Sequence, residues 1–223
     1  MTIERVKCSS CDNMILPRTA ERNDGLCAPC AKTSQKDRNE IKNKRAELIS
    51  FFNDNKPRAL SSLSPIIIQD IQSYGFAQKG TQIETEAYYK IGCKCGSMNF
   101  LIKGRYENVP GYKEQCLFSP ILLSCSKCSV NEVIFDANIH GYNAEYDQDS
   151  PQSIDKQTNS YACPSCNNDH FEVITHHHYP DDLFSEEFSD FKVRLQDLFD
   201  SISIYGLCTK CSKLSSATDF ECA

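Results

Sequence analysis

From residue 82 to the C-terminus, apolar and polar positions alternate with a period of two in short runs. The runs are Ile83–Ile91, Met98–Tyr106, Gln115–Ser124, Val130–Asp136, Asn159–Ala162, His170–Tyr179, Ser201–Leu207 and Leu214–Phe220. This is the signature of half-buried β-strands. Each run leads into or out of a tight pair of cysteines, so the unit strand–knuckle–strand recurs. Cys93 maps to Cys163 with a shift of 70 residues, and Cys125 to Cys208 with a shift of 83. The pattern reads as a weak internal duplication.

Before residue 82 the period changes. Ile41, Leu48, Ile49 and Phe52 keep a helical spacing within residues 32–56, and Pro57 ends the run. Ser64-Pro65 then predicts a second helix, Pro65 to Tyr74, with Pro at its first position and Gly75 just past its end. Ile67, Ile71 and Tyr74 would share one side of it. A third helical period, Phe184, Phe188, Phe191, Leu195 and Leu198, spans Asp182–Phe199, with Glu186, Glu187, Asp190 and Asp197 as an acidic outer face. The stretch Glu145–Asn159 is rich in Asp, Gln and Ser and reads as an acidic loop.

Cysteine decides how these pieces are held. The chain has 14 in 223 residues, and twelve sit in six tight pairs. Five are C-x-x-C: Cys8/Cys11, Cys27/Cys30, Cys125/Cys128, Cys163/Cys166 and Cys208/Cys211. The sixth, Cys93/Cys95, is C-x-C. A pair at a tight turn aims both sulfurs to one side, and two such knuckles facing each other complete a tetrahedron around zinc. Chain order gives three sets: Cys8, Cys11, Cys27 and Cys30; Cys93, Cys95, Cys125 and Cys128; Cys163, Cys166, Cys208 and Cys211. The intervals between knuckles are 15, 29 and 41 residues, so the later loops must hold strands or a helix. A different grouping, Cys125/Cys128 with Cys163/Cys166 across 34 residues, uses the same ligands. Disulfides suit an oxidising compartment, and iron–sulfur ligation draws on the same residue type.

The expected fold is therefore a small α+β protein stabilised by three structural zinc ions. Residues 1–35 form an N-terminal zinc ribbon, 36–80 a linker of two helices, and 81–223 a β-rich domain of two ribbon-like units with one inserted helix. The first ribbon has too few apolar residues for a core and should be unfolded without metal.

Charge divides the chain in a related way. Residues 1–60 carry 12 Lys and Arg against 8 Asp and Glu, whereas residues 61–223 carry 12 against 22. A zinc bound by four thiolates adds a charge of about −2, which takes the metallated chain from −6 to about −12. The larger part disfavours phosphate binding and suits a basic partner. Lys42, Lys44 and Arg45, off the apolar stripe of their helix, read first as its solvated surface, and the basic residues 1–60 are the alternative place for a nucleic-acid contact. The N-terminus lacks the apolar run of a signal peptide, and no stretch approaches a membrane span. The expected location is the cytoplasm, with no membrane partner.

Chemistry beyond metal binding finds no motif. A Ser/His/Asp arrangement, a phosphate-cradling Gly loop and H-E-x-x-H are all missing from the sequence. Four-thiolate sites have no open coordination position, so no catalysis is expected. His170, His176 and His178 fall on one face of a strand and His177 on the other, which reads as an exposed polar strand. His140 is placed to cap a strand end. Cys116 and Cys222 have no close partner and read as buried or edge thiols.

Two stretches carry a resemblance. The segment Cys8-Ser9-Ser10-Cys11 through Ile15-Leu16-Pro17-Arg18-Thr19-Ala20-Glu21 to Gly25-Leu26-Cys27-Ala28-Pro29-Cys30 resembles an N-terminal zinc ribbon of small uncharacterised bacterial proteins. Some of those are similar to immunity proteins that neutralise a partner toxin. Ile134-Phe135-Asp136 followed by His140-Gly141-Tyr142, and the ending Asp219-Phe220-Glu221-Cys222-Ala223, share the likeness. The resemblance implies a cytosolic binder and carries over no functional residue beyond the metal ligands. The acidic residues 61–223 add the expectation of a non-enzymatic binding module, an immunity protein or antitoxin facing a basic toxin or nuclease. Its contacts would lie in Glu145–Asp155 and Asp181–Asp200. The alternative is a nucleic-acid-binding or transcription-associated ribbon protein that uses residues 1–60.

Overall fold

A computed structural model describes residues 5–10, 14–76, 85–106, 117–141, 158–181, 183 and 195–222. The chain divides into two compact units. One comprises residues 1–52 and 68–84, the other 53–67 and 85–223. This division cuts through the expected linker: the long helix joins the N-terminal knuckles, and residues 53–67 join the β-rich part.

In the first unit, β1 (Val6–Lys7) pairs antiparallel with β2 (Met14–Ile15). Two short helices absent from the sequence-based expectation follow, α1 (Pro17–Arg22) and α2 (Ala28–Lys32). Both have Pro in the first turn, where its missing N–H removes no helical bond. The long helix α3 (Gln35–Asp54) matches the expected residues 32–56. The Ser34 hydroxyl starts it by accepting the Asp37 N–H (3.2 Å) and donating to the Asp37 carboxylate (2.7 Å).

The second unit is one antiparallel sheet of nine strands: β3 (Ser64–Ile67), β4 (Glu86–Gly92), β5 (Phe100–Tyr106), β6 (Leu117–Cys125), β7 (Asn131–Phe135), β8 (Asn159–Ser160), β9 (Phe171–His178), β10 (Ser201–Cys208) and β11 (Leu214–Glu221). Strand β3 occupies residues expected to be helical. Ile66, Ile67 and Ile68 are three β-branched residues in a row, which favour extended backbone. Pro65 is tolerated because, among the described residues, β3 pairs only with β4 and so lies at an edge. Only Ile71–Tyr74 coils, as a single 3-10 turn that Gly75 closes at φ 92°.

The duplication is borne out by the register. Strands β5, β6 and β7 form one meander, and β9, β10 and β11 a second. Adding 71 to β5 and 83 to β6 and β7 reproduces the second meander pair by pair from the knuckles as far as Lys103; beyond it the first meander has a register shift between Lys103 and Arg105 that the second lacks. Phe100↔Cys125 becomes Phe171↔Cys208, and Ile121↔Phe135 becomes Ile204↔Thr218. Even the irregularity between Ile121 and Leu122 recurs between Ile204 and Tyr205. The meanders join where Phe100 pairs with Phe171, which are equivalent residues. The strand leading into each half crosses to the other. Strand β4 pairs with β9, and β8 pairs with β5; Tyr89↔Thr175 and Asn159↔Gly104 are the matching contacts. The sheet is a pseudo-twofold with exchanged lead strands.

Its core is aromatic and β-branched: Tyr89, Ile91, Phe100, Ile102, Phe171, Val173, Ile202, Ile204 and Phe199 are all at most 1% exposed. Gly206 lets Phe171 lie flat on β10, since a Cβ there would stand 2.6 Å from the ring.

Two side-chain expectations are corrected here. The histidine strand β9 is interior rather than exposed, because β10 covers one of its edges and β4 and β5 the other. The alternation itself is right: His177 is fully buried, while His176 and His178 are half-buried on the opposite face. Asp197, expected on an acidic outer face, is buried, and its carboxylate takes the Arg58 backbone N–H and pairs with the Arg58 guanidinium, both at 2.7 Å. The rest of the predicted Asp182–Phe199 helix lies almost wholly outside the described residues, as does nearly all of the Glu145–Asn159 loop. At the near end of that helix the structure shows a 3-10 turn, Leu195–Asp197, with Leu198 and Phe199 packed inward.

Candidate metal centres

The first cluster is assembled by the N-terminal turns. Cys8 follows β1, and Cys27 caps α2, its sulfur accepting the Cys30 N–H at 3.5 Å. The Cys27 N–H points at the Cys8 sulfur (3.2 Å), and the Ser9 N–H donates to the Gly25 carbonyl (2.9 Å), which fixes one knuckle against the other. Cys8, Cys27 and Cys30 are all buried, and among the described residues Ile15 and Leu26 pack against them. The predicted fourth ligand, Cys11, lies outside the described residues.

The second and third clusters sit at equivalent strand ends of the duplicated sheet. Cys93 follows β4, Cys125 ends β6, and Cys208 ends β10. The hydrogen bonds that shape them recur. The Cys125 N–H donates to Val130 and the Cys208 N–H to Lys213; the Ser126 N–H donates to Asn99 and the Thr209 N–H to His170. Ser129 (φ 60°) and Ser212 (φ 56°) take the left-handed conformation at matching positions just past the knuckles.

The grouping follows chain order: Cys93, Cys95, Cys125 and Cys128 gather in one place, and Cys163, Cys166, Cys208 and Cys211 in another. The alternative that joins Cys125/Cys128 to Cys163/Cys166 is excluded. In each of the three clusters all sulfurs lie within 4.8 Å of one another. Cys93 and Cys128 are 3.6 Å apart, as are Cys163 and Cys211. A disulfide would require about 2.05 Å. Four thiolates at about 2.3 Å from one ion stand roughly 3.8 Å apart, so the clusters fit a single tetrahedral metal ion. A multi-iron cluster binds its cysteines to different irons and holds their sulfurs further apart.

Electrostatics prepares both sites for a cation. Burial pushes the Cys125 thiol up, but the N–H groups of Cys128 and Lys127 outweigh it and bring the thiol down to about 6. Cys208 is likewise brought down to about 6 by the N–H groups of Cys211 and Lys210 against its burial.

The remaining candidates have structural roles. His140 caps the end of β7 as expected, its Nδ1 accepting the Asp136 N–H at 2.9 Å, and burial lowers its basicity. Cys222 is buried, and burial followed by the Asp200 charge raises its thiol to about 12. Cys116 lies outside the described residues. Gly141 (φ 89°) packs so closely on Cys222 that a Cβ would stand 2.7 Å from its sulfur. The two C-terminal phrases of the resemblance therefore meet in space as packing.

Several pairings escaped the sequence because their partners are far apart along the chain. His176 bonds Glu86 (2.8 Å) and stacks on Tyr88, and His178 bonds Asp200 (2.8 Å). The period-two pattern put these histidines on one face but could not supply the opposing strands.

No family model, curated protein or solved structure matches the chain. Its chemistry is argued from the clusters themselves. Among the described residues no helix is long and apolar enough to cross a membrane.

Proposed function

We propose that this chain is a non-enzymatic, zinc-scaffolded protein-binding module whose partner is basic. The observation that carries the reading is the pair of four-cysteine clusters at equivalent positions of a duplicated sheet. Four thiolates close the coordination sphere of zinc, so the ion would hold strands together rather than act on a substrate. Zinc suits the site better than a redox metal because it prefers tetrahedral thiolate and has no competing oxidation state. Function then falls to the surface, where 22 acidic against 12 basic side chains in residues 61–223 favour a cationic protein. An immunity protein or antitoxin that covers a basic nuclease-type toxin is the form this takes.

The nucleic-acid reading draws on the basic residues 1–60. Part of that charge is engaged internally: Arg38 donates to the carbonyls of Cys30 (2.9 Å) and Thr33 (2.6 Å), and Lys44 pairs with Glu40 (3.7 Å). Purification of the tagged full chain from its host tests the choice. The expected result is one stoichiometric basic protein whose retention weakens with salt. Recovery of nucleic acid alone, or of no partner under gentle conditions, overturns the reading.

A further inference from the structure

The pseudo-twofold sets two metal centres side by side as an internal control, and they differ in three ways. The first knuckle of one is Cys93-Lys94-Cys95, one residue shorter than Cys163-Pro164-Ser165-Cys166 in the other. Cys128 is exposed, whereas its equivalent Cys211 is half-buried. The third difference concerns Asn168, whose side chain bridges the knuckle. Its Nδ2 donates to the His170 carbonyl (2.7 Å) and reaches the Cys208 sulfur (3.5 Å). The equivalent residue is Ser97, whose hydroxyl makes the matching local bonds, accepting the Asn99 N–H (3.2 Å) and donating to the Asn99 carbonyl (3.4 Å). Its shorter side chain brings no amide to a thiolate.

Hydrogen bonds from N–H groups draw charge from a thiolate, and exposure admits the oxidant; both control the oxidation of cysteine. We infer that the Cys93–Cys95–Cys125–Cys128 centre is a peroxide-sensitive site that opens before its twin, with Cys128 attacked first and Cys93 resolving it. The inference rests on the zinc reading above.

The chemistry balances with hydrogen peroxide as the two-electron oxidant. The Cys128 sulfur attacks one peroxide oxygen, the O–O bond breaks, and hydroxide leaves, giving a sulfenic acid. Cys93, 3.6 Å away and 5% exposed, then attacks that sulfur; an S–S bond forms and a second hydroxide leaves. Two thiolates each lose one electron, and both electrons go to the peroxide oxygens. Cys95 and Cys125 alone remain as ligands, too few to retain the ion. A dithiol reductant reverses the step.

The test is a peroxide titration of the zinc-loaded full chain, followed by native mass spectrometry and by differential alkylation with peptide mapping. The expected result is a Cys93–Cys128 disulfide, with loss of one zinc, while Cys163, Cys166, Cys208 and Cys211 stay unoxidised. The exposure of Cys128, together with the amide bond that steadies Cys208 in the twin centre, supports about a tenfold difference in dose between the centres. Two substitutions that leave every ligand in place sharpen it. Ser97→Asn should protect the first centre, and Asn168→Ser should sensitise the second. Equal oxidation of the two centres, or earlier oxidation of the Cys163 centre, overturns the inference while leaving the zinc reading intact. Absence of zinc from the untreated protein overturns both.

Discussion

The two units use the same ligand chemistry for different ends. In the N-terminal unit the buried cluster is the three cysteines themselves, with Ile15 and Leu26 at its margin. In the β unit the cysteines sit at the rim of a sheet that already buries Phe100, Phe171, Ile91, Ile102 and Ile204. The comparison teaches that a knuckle pair can replace a hydrophobic core or merely pin one. Which it does depends on the apolar residues near it, not on the ligands.

The largest expected effect breaks this comparison open. Chelation of zinc should unfold the knuckle segment, residues 5–32, altogether, because a structural zinc contributes roughly 10–16 kcal/mol and Ile15 and Leu26 are the hydrophobic residues that pack on its buried cysteines among the described residues. The β unit should keep a protected, exchange-resistant centre while its knuckles fray. Hydrogen exchange by mass spectrometry distinguishes the two responses, and equal loss of protection would show that both units depend on metal alike.

Next comes the junction of the pseudo-twofold. Phe171→Ala removes a fully buried ring that packs on Gly206 and should destabilise the β unit by about 3–5 kcal/mol, measured by urea unfolding. The exchange pattern of residues 5–10 and 14–52 should not change.

Acid provides a subtler probe. His177 lies fully buried against the edges of Tyr89 and Phe199, and among the described residues neither ring nitrogen has a hydrogen-bond partner. Burial, with smaller contributions from His176 and His140, lowers its pKa to about 3. The folded state refuses a proton that the unfolded chain accepts below about 6.5. Its stability is therefore complete above that pH and erodes as the pH falls towards 3, by up to about 1.4 kcal/mol per unit. His177→Leu should flatten this slope between pH 6.5 and 5. Loss of zinc in acid acts on both proteins, so the difference between them isolates the imidazole. An unchanged slope would show that His177 charges in the folded state.

The smallest effect is local. Gly141→Ala adds a methyl where φ is 89° and Cys222 lies 2.7 Å away, which should cost about 1–3 kcal/mol by the same urea assay. A neutral result would mean that the C-terminal end yields easily.

What could be read from the sequence follows from the range of the forces involved. The cysteine clusters were legible, Cys11 apart, because knuckle geometry is local, and the 70- and 83-residue shifts already contained the duplication. The 20-residue helix α3 was legible from Ile41 to Phe52 and the stop at Pro57. The helix expected at Pro65–Tyr74 failed because its helix signals, a leading Pro and a trailing Gly, also suit an edge strand followed by a turn. The open side of β4, which captures Ser64–Ile67, is a tertiary fact. Asp197 failed similarly: its helical phase said outward, but Arg58, 139 positions away in the chain, holds it inside. The histidine strand showed its alternation correctly, while its burial depended on three other strands.

The exchange of lead strands gives the fold a design rule. A gene encoding only one half would make a chain whose leading strand cannot complete its own meander. Two such chains would satisfy each other by trading β4-like strands, with two equivalent phenylalanines meeting on the axis. The present protein has the geometry of that dimer fused into one polypeptide. Within that geometry the shortened Cys93 knuckle and the Asn168 bridge are where the two halves part company.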